Sequence, residues 1–236
     1  SLSTGKNIIV TGSEGLLGKA FVDDIQKEGG IAICLDISHE TTPESHHYKV
    51  DLTKQEETEN TVNQLLKTYH QIDGLVNNAY PRTKDWGTSF EDLSYDSLKT
   101  NVDWQMNSYL NFCKLIIPYL RKSNGGSVVN MTSIYGVVGN DFTIYEEAGM
   151  EPPAAYSAIK GGLVNATRFL ASKYGKECLR FNCVSPGGIF DHQPTSFVNA
   201  YEKKVPMKRM GNPDDIAPAV SFLLSEESKY ITGHNL

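Results

Sequence analysis

A tyrosine and a lysine four residues apart, Tyr156 and Lys160, are the first candidates for chemistry in this sequence, and Ser133 lies upstream of them. On a helix, side chains four residues apart lie one turn above each other on the same face. Free tyrosine has a pKa of about 10, so a general base near pH 7 needs that pKa lowered by about 3 units, or about 4 kcal/mol. The spacing favours a proton-transferring tyrosine held beside an ammonium group. The alternative is a solvated lysine packed on a ring.

A glycine-rich segment near the start of the chain is the second chemical signal. Glycines between a strand and a helix let the backbone approach a pyrophosphate, which the helix N-terminus then faces. The spacing here is G-x-x-G-x-x-G, and its position between a predicted strand and a predicted helix favours a dinucleotide cofactor. The predicted cofactor-binding residues of this loop are Gly12, Ser13, Glu14, Gly15, Leu16, Leu17 and Gly18.

An acid at the end of the second predicted strand indicates which dinucleotide binds. Asp36 lies 18 residues beyond Gly18. A carboxylate there accepts hydrogen bonds from the adenosine ribose and repels a 2′-phosphate. The glycine loop also carries Glu14 and no Arg or Lys. We therefore expect NAD rather than NADP. The alternative, Asp36 as a helix N-cap, leaves the second acid unexplained.

Alternating strand and helix patterns must position these residues. Apolar runs predict strands over 7–11, 31–36, 48–51, 74–78, 127–131 and 179–184. Amphipathic stretches predict helices over 16–28, 54–69, a long helix ending near 122, 156–174 and 214–224. This alternation predicts an α/β fold of the Rossmann type, a doubly wound parallel sheet with helices on both faces, in one domain over 1–236. A further strand begins at 231–236, and we expect it to be cut short at the C-terminus.

Composition excludes several classes of function. The chain has 236 residues and a net charge of −6, which gives no electrostatic footprint for nucleic acid or an anionic membrane. No apolar run approaches the roughly 20 residues of a membrane span, and the start lacks a signal peptide, so we expect a cytoplasmic protein. The four cysteines are not clustered, and the pair His46-His47 has no third ligand nearby in the sequence. We expect no metal site and interpret the histidine pair as surface.

Taken together, these motifs resemble those of the short-chain dehydrogenase/reductase family over essentially the whole chain. By this resemblance, Asp51 and Leu52 contact adenine, and Asn77, Asn78 and Ala79 line the adenosine side and hold the central strand. After the sixth strand, Pro186, Gly187 and Ile189 flank the nicotinamide. The resemblance also implies a small-molecule substrate and a homotetramer or homodimer.

The family mechanism maps onto the first residues discussed. By resemblance, Tyr156 takes the substrate hydroxyl proton during oxidation or donates it during carbonyl reduction. Lys160 lowers the pKa of Tyr156 and binds the nicotinamide ribose, while Ser133 binds the reacting oxygen. Hydride passes between the substrate carbon and NAD, and the protein supplies orientation.

Three positions depart from the family pattern. The asparagine that supports a proton relay on the long helix is replaced by Gln105, or its role falls to Asn101 one turn earlier. A threonine after the Pro-Gly loop is replaced by Asp191. Ser133 and Tyr156 are 23 residues apart, which is longer than usual. The glycine spacing resembles the extended, epimerase-like branch, whereas the chain length and the Pro186-Gly187 segment resemble the shorter branch, which we prefer.

The extra residues suggest where substrate identity is encoded. The insertion over 140–153 is predicted to overhang the site, or else to be a solvated surface loop. Arg82 and Lys84 would bind a phosphate or carboxylate, or form a solvated basic loop, and a mobile lid is expected over about 190–210. The pattern resembles bacterial family members of flagellin modification and polysaccharide synthesis, which suggests a polyol, a sugar phosphate or a nucleotide sugar. The alternatives are an epimerase or dehydratase that retains NAD, and a non-catalytic NAD-binding regulatory protein.

Overall fold

A six-stranded parallel sheet forms the centre of the computed structural model, which describes residues 4–236. Its strands are β1 (Asn7–Thr11), β2 (Ile31–Asp36), β3 (His47–Lys49), β4 (Gly74–Asn77), β5 (Gly126–Met131) and β6 (Leu179–Val184). They lie in the order β3-β2-β1-β4-β5-β6. The order reverses between β1 and β4, and ligands of such sheets bind outside the carboxyl ends of the strands at that reversal.

Eight α-helices surround the sheet within the described residues. They are α1 (Leu16–Lys27), α2 (Gln55–Thr68), α3 (Tyr95–Val102), α4 (Ser108–Lys122), α5 (Thr143–Glu146), α6 (Ala154–Tyr174), α7 (Thr195–Lys204) and α8 (Pro213–Leu224). None of the helices among residues 4–236 combines the length and the apolar character that a membrane crossing requires.

Both faces of the sheet are covered, as the continuous apolar strands predicted. Ile8 of β1 packs in a cluster with residues of α1 and α8, including Phe21 and Val220. Its neighbour Ile9 points to the opposite face, into a cluster with residues of α2 and α4 such as Phe112. Successive side chains of a strand point to opposite faces, so one apolar run supplies both halves of the core.

The structure confirms the predicted fold class and differs from the sequence prediction in detail. The long helix predicted to end near 122 is interrupted by a π-helical turn over Asp103–Asn107, which separates α3 from α4. The short helices α5 and α7 lie in segments that were predicted only as an insertion and a lid. Residues 233–236 run beside β6, where the Leu236 backbone N–H donates to the Cys183 carbonyl at 3.0 Å.

Candidate active site

A cleft of about 870 Å³ lies at the carboxyl ends of the strands. It extends from the loop after β1 to the residues after β5 and β6, so the sheet reversal and the Tyr156 region share one cavity. Most predicted site residues line it. These are Gly12, Glu14, Gly15, Leu16, Leu17, Asp36, Asp51, Leu52, Asn78, Ala79, Ser133, Tyr156, Pro186, Gly187 and Ile189.

The glycine loop is shaped by close backbone approach. Gly12 has a φ of +63°, and a Cβ there would come within 2.9 Å of the Ala79 Cα. A Cβ on Gly18 would lie only 2.0 Å from the Gly12 carbonyl oxygen, so the first turn of α1 packs directly on the loop. Thr11 Oγ1 accepts hydrogen bonds from the backbone N–H groups of Asn78 and Ala79, at 2.9 and 3.1 Å. These contacts fix the loop against the segment after β4.

Five predicted site residues lie behind the lining of the cleft. Gly18 is one of them, and Ser13 is buried beside it. Asn77 donates to Asn130 Oδ1 at 2.8 Å, which ties β4 to β5 at the centre of the sheet. The other two are Gln105 and Lys160, which are both almost completely buried. Direct contact of these five with a cofactor or substrate stays a prediction.

Asp36 lies at the end of the cleft where we expect the adenosine, and two backbone N–H groups hold its carboxylate. Its Oδ2 accepts a hydrogen bond from the Glu14 backbone N–H at 2.9 Å, and its Oδ1 accepts one from the Ser38 backbone N–H at 2.9 Å. A carboxylate has about four lone-pair positions, so two remain for a ligand. Asp51 also lines this end, with its Oδ1 engaged by the hydroxyl of Thr53 at 2.6 Å.

Ser133 and Tyr156 come together at the other end of the cleft. Ser133 follows β5, while Tyr156 lies in the first turns of α6. Burial raises the pKa of Tyr156, and a hydrogen bond with Ser133 acts in the opposite direction. The pKa of Tyr156 is therefore raised in this structure, whereas the sequence led us to expect a lowered one.

Lys160, predicted to lower the pKa of Tyr156, is hydrogen-bonded to the backbone. Its ammonium group donates to the Met131 carbonyl at 2.9 Å and lies 5.5 Å from the Tyr156 ring centroid. Burial lowers the pKa of Lys160 to about 8. The lysine is therefore bound to the backbone of β5, and the pKa of Tyr156 is raised chiefly by burial of its phenol.

The two candidate amides of the long helix have different surroundings. Asn101 is engaged on both sides: its Oδ1 accepts from the Thr83 backbone N–H at 3.1 Å, and its amide donates to Thr83 Oγ1 at 2.8 Å. Gln105 lies in the π-helical turn and donates to Asn101 Oδ1 at 3.4 Å. The buried Oε1 of Gln105 accepts no hydrogen bond from residues 4–236. Single π-helical turns often occur at functional sites, and of the two amides only Gln105 keeps an unused acceptor.

Aromatic residues that the sequence analysis did not identify surround Tyr156. The rings of Tyr80 and Trp86 lie 5.7 and 6.3 Å from the Tyr156 ring, centroid to centroid. Trp86 Nε1 donates to the Tyr80 hydroxyl at 2.8 Å, and the Arg82 guanidinium lies 4.1 Å from the Tyr80 ring centroid. Tyr80 directly follows the motif Asn77-Asn78-Ala79. Its place beside a predicted cofactor-binding motif is the sequence signal that could have identified it as a site residue.

The insertion and the segment predicted as a lid pack against each other at the wall of the cleft. Within the insertion, Ile144 and Tyr145 form a cluster with Phe197 and Tyr201 of α7. The Gly188 backbone N–H donates to the Tyr201 hydroxyl at 2.5 Å, which connects the lid to the loop after β6. The alternative of a wholly solvated insertion is therefore not what the structure shows.

Known proteins are similar to this chain over nearly its whole length. A protein-family model described as enoyl-(acyl carrier protein) reductase matches residues 17–236. Post-translational flagellin modification protein A of Campylobacter coli is 32% identical over 244 residues, which cover 98% of this chain and 95% of that protein.

Two solved structures share the fold. A short chain dehydrogenase from Leptospira borgpetersenii, crystallised with bound NAD⁺, is 30% identical with a TM-score of 0.89, and the match covers 100% of this chain and 91% of that one. The ligand-free aldohexose dehydrogenase of Thermoplasma acidophilum is 26% identical with a TM-score of 0.86, covering 100% of this chain and 94% of that one.

Proposed function

This chain belongs to the short-chain dehydrogenase/reductase family of oxidoreductases, and we propose that it uses NAD to interconvert a secondary alcohol and a ketone. The observation that carries the proposal is that Asp36 and the pair Ser133 and Tyr156 line opposite ends of one cleft. A dinucleotide bound between them would present its nicotinamide to the tyrosine.

The residues that line the cleft are suited to binding a dinucleotide. Gly12 and Gly15 carry no side chains where they line the cleft, and the N-terminus of α1 follows directly, which suits a pyrophosphate. When bound, NAD supplies the hydride acceptor or donor. The chain's own residues orient the substrate oxygen through Ser133 and exchange its proton through Tyr156.

We assign NAD rather than NADP on the charge at the adenosine end. Asp36 and Glu14 both line the cleft there. Two carboxylates would repel the negative charge of a 2′-phosphate. The bound NAD⁺ of the Leptospira relative is compatible with this assignment.

For the substrate we propose a sugar derivative, such as a polyol, a sugar phosphate or a nucleotide sugar. The wall beside Tyr156 offers the exposed guanidinium of Arg82, whereas Lys84 does not line the cleft. Arginine suits bidentate recognition of phosphate or carboxylate. Glu151 and Asp191 line the opposite walls and offer acceptors for sugar hydroxyls. The similar structure from Thermoplasma acidophilum is an aldohexose dehydrogenase, which supports the same class of substrate.

A turnover screen tests this proposal. The purified chain is incubated with NAD or NADP and with polyols, sugar phosphates and nucleotide sugars, alongside a steroid alcohol and a 3-hydroxyacyl thioester as competing classes. We expect NADH to accumulate with a sugar derivative. Turnover confined to the steroid or the thioester would reject the sugar assignment. Product formation without net NADH would instead indicate an epimerase or dehydratase, and NAD binding without any turnover a regulatory protein.

We further propose a homotetramer, or a homodimer, with α4 and α6 at one interface, as the family resemblance implies. Phe169 on α6 supports this, because it is a large apolar side chain with 65% of its surface exposed. Light scattering of the wild type and of Phe169→Glu is the test. A wild-type monomer, or an assembly unaffected by Phe169→Glu, would reject this interface.

A further inference from the structure

Three side chains with metal-binding atoms converge beside the adenosine end of the cleft. They are Glu14 of the glycine loop, His39 after β2 and His47 at the start of β3. Their potential ligand atoms all lie within 4.8 Å of one another, and all three residues are half-buried. In the sequence His47 has no third ligand nearby and was interpreted as surface, whereas the fold brings His39 and Glu14 close to it.

The hydrogen bonds of His39 determine which of its nitrogens is free. Its Nε2 lies 3.0 Å from the Tyr48 carbonyl oxygen, which can only accept, so Nε2 carries the hydrogen. In the neutral ring, Nδ1 then carries a lone pair. That lone pair faces Glu14 Oε1 at 3.5 Å. With the neutral ring two acceptors face each other here, an arrangement that favours a cation between them, either a proton on Nδ1 or a metal ion.

His47 is fixed in a similar way by a backbone carbonyl. Its Nδ1 lies 2.8 Å from the Ser45 carbonyl oxygen and therefore donates to it. In the neutral ring, Nε2 keeps its lone pair. Metal-binding histidines commonly donate their second nitrogen to a carbonyl or carboxylate, which fixes the tautomer and the ring orientation. Both histidines have this support before any ion binds.

We propose that Glu14, His39 and His47 form a binding site for a divalent transition-metal ion of the Zn²⁺ type. Two imidazoles and one carboxylate suit Zn²⁺ or Co²⁺, whereas Mg²⁺ and Ca²⁺ prefer oxygen ligands alone. Three protein ligands leave a fourth position of a tetrahedral ion open to water.

One of the distances already suits such an ion. Bonds of about 2.0–2.2 Å place the ligand atoms of a tetrahedral ion about 3.4 Å apart. The separation of His39 Nδ1 and Glu14 Oε1, 3.5 Å, already has this value. The other separations in the group are at most 4.8 Å, so binding of one ion by all three residues requires them to shorten by up to about 1.4 Å.

The site lies at the edge of the proposed NAD site without being part of its chemistry. Glu14 lines the cleft, and its backbone N–H is bound to Asp36 Oδ2. His39 and His47 do not line the cleft. An ion would fix the segment between β2 and β3 against the glycine loop.

Metal titration of the full-length chain tests the proposal. The purified protein is stripped with a chelator and titrated with Co²⁺, followed by the visible absorption of the bound ion, and with Zn²⁺ by calorimetry. We expect one ion per chain. The affinity should fall at least about tenfold in His39→Gln and in His47→Gln, since each loses one of three ligands. His70→Gln, which removes an exposed histidine elsewhere, is the matched control and should bind as the wild type does.

Two results would overturn the proposal. One is a wild type that binds neither ion, and the other is an affinity that His39→Gln and His47→Gln leave unchanged. Circular dichroism checks that the variants are folded. If both variants unfold, the test is anomalous scattering from crystals of the wild type grown with Zn²⁺. A zinc peak that does not lie between the three side chains rejects the site. Each readout is independent of turnover, so the outcome does not depend on the proposed dehydrogenase activity.

Discussion

The ring of Tyr145 in the insertion packs against the ring of Phe197 in the lid helix α7, with centroids 5.2 Å apart. Both residues are buried, and both also line the cleft. The extra residues between Ser133 and Tyr156 therefore pack against α7, the segment predicted to act as a substrate lid.

Loss of this contact should weaken substrate binding more than NAD binding. In Tyr145→Ala we expect the KM for the alcohol to rise about tenfold, since an aromatic pair contributes roughly 0.5–1.5 kcal/mol beyond its buried area. Asp141→Asn is the control. It removes an exposed ion pair with Lys204 at 3.3 Å, and such pairs contribute little. An unchanged KM in Tyr145→Ala, or an equal loss of NAD affinity, would contradict a lid anchored by Tyr145.

Gln105 and Asn101 should respond differently to loss of their amides. Gln105→Leu removes a buried oxygen that has no partner among residues 4–236, so we expect little loss of stability and a reduced kcat. Asn101→Leu leaves the Thr83 backbone N–H unpaired and should cost about 1–3 kcal/mol in the free energy of unfolding. Urea unfolding and kcat are measured for both. A normal kcat in Gln105→Leu, with reduced turnover in a stable Asn101→Leu, would assign the relay to Asn101.

Cofactor choice should depend on the charge of Asp36. Asp36→Asn keeps an oxygen that can accept from one backbone N–H group but removes the charge that repels a 2′-phosphate. We expect the preference for NAD over NADP, measured as a ratio of kcat/KM values, to fall at least about tenfold, or about 1.4 kcal/mol. Asp51→Asn, an acid of the same cleft held by Thr53, is the control and should change the ratio less. Equal ratios in the wild type and Asp36→Asn would contradict the assignment.

The buried Lys160 should reduce stability near neutral pH. Its pKa is about 8 in the folded protein, below the value of 10.5 for a free lysine. Below pH 8 the folded state carries the full cost of a buried ammonium, about 3 kcal/mol by the size of the shift. Between pH 8 and 10.5 the folded state binds fewer protons than the unfolded state, so this cost disappears as the pH rises.

Lys160→Met should therefore raise the free energy of unfolding at pH 7 while abolishing turnover, and its advantage should shrink between pH 8 and 10.5. Lys173→Met changes an exposed lysine on the same helix and serves as the control, with no such pH dependence expected. A Lys160→Met variant that is less stable at pH 7 would show that the bond to Met131 outweighs the cost of burial.

Much of this site could be predicted from the sequence because its parts are local. In the sequence, each strand is an apolar run, and the glycine or polar residues that follow it mark where the strand ends. The carboxyl ends of parallel strands meet at one edge, so Gly12, Asp36 and Ser133 had to lie along the same edge of the sheet. Tyr156 followed from its helical spacing to Lys160.

The remaining features depend on contacts between distant parts of the chain. The raised pKa of Tyr156 results chiefly from burial, which has no local sequence pattern. The hydrogen bond from Lys160 to the Met131 carbonyl has none either. The pairing of Tyr145 with Phe197 joins residues 52 positions apart in sequence. His39 and Glu14 meet across a loop whose path only the folded backbone defines.

The most direct test of the account is the turnover of Tyr156→Phe. NADH formation with the best substrate of the screen is measured for the wild type and the variant, and NAD binding is measured by calorimetry for both. The account predicts loss of turnover by at least about 10²-fold, the lower limit of general acid–base contributions, with NAD affinity nearly unchanged. Retained turnover in Tyr156→Phe would contradict the role of Tyr156 as the proton-transferring group.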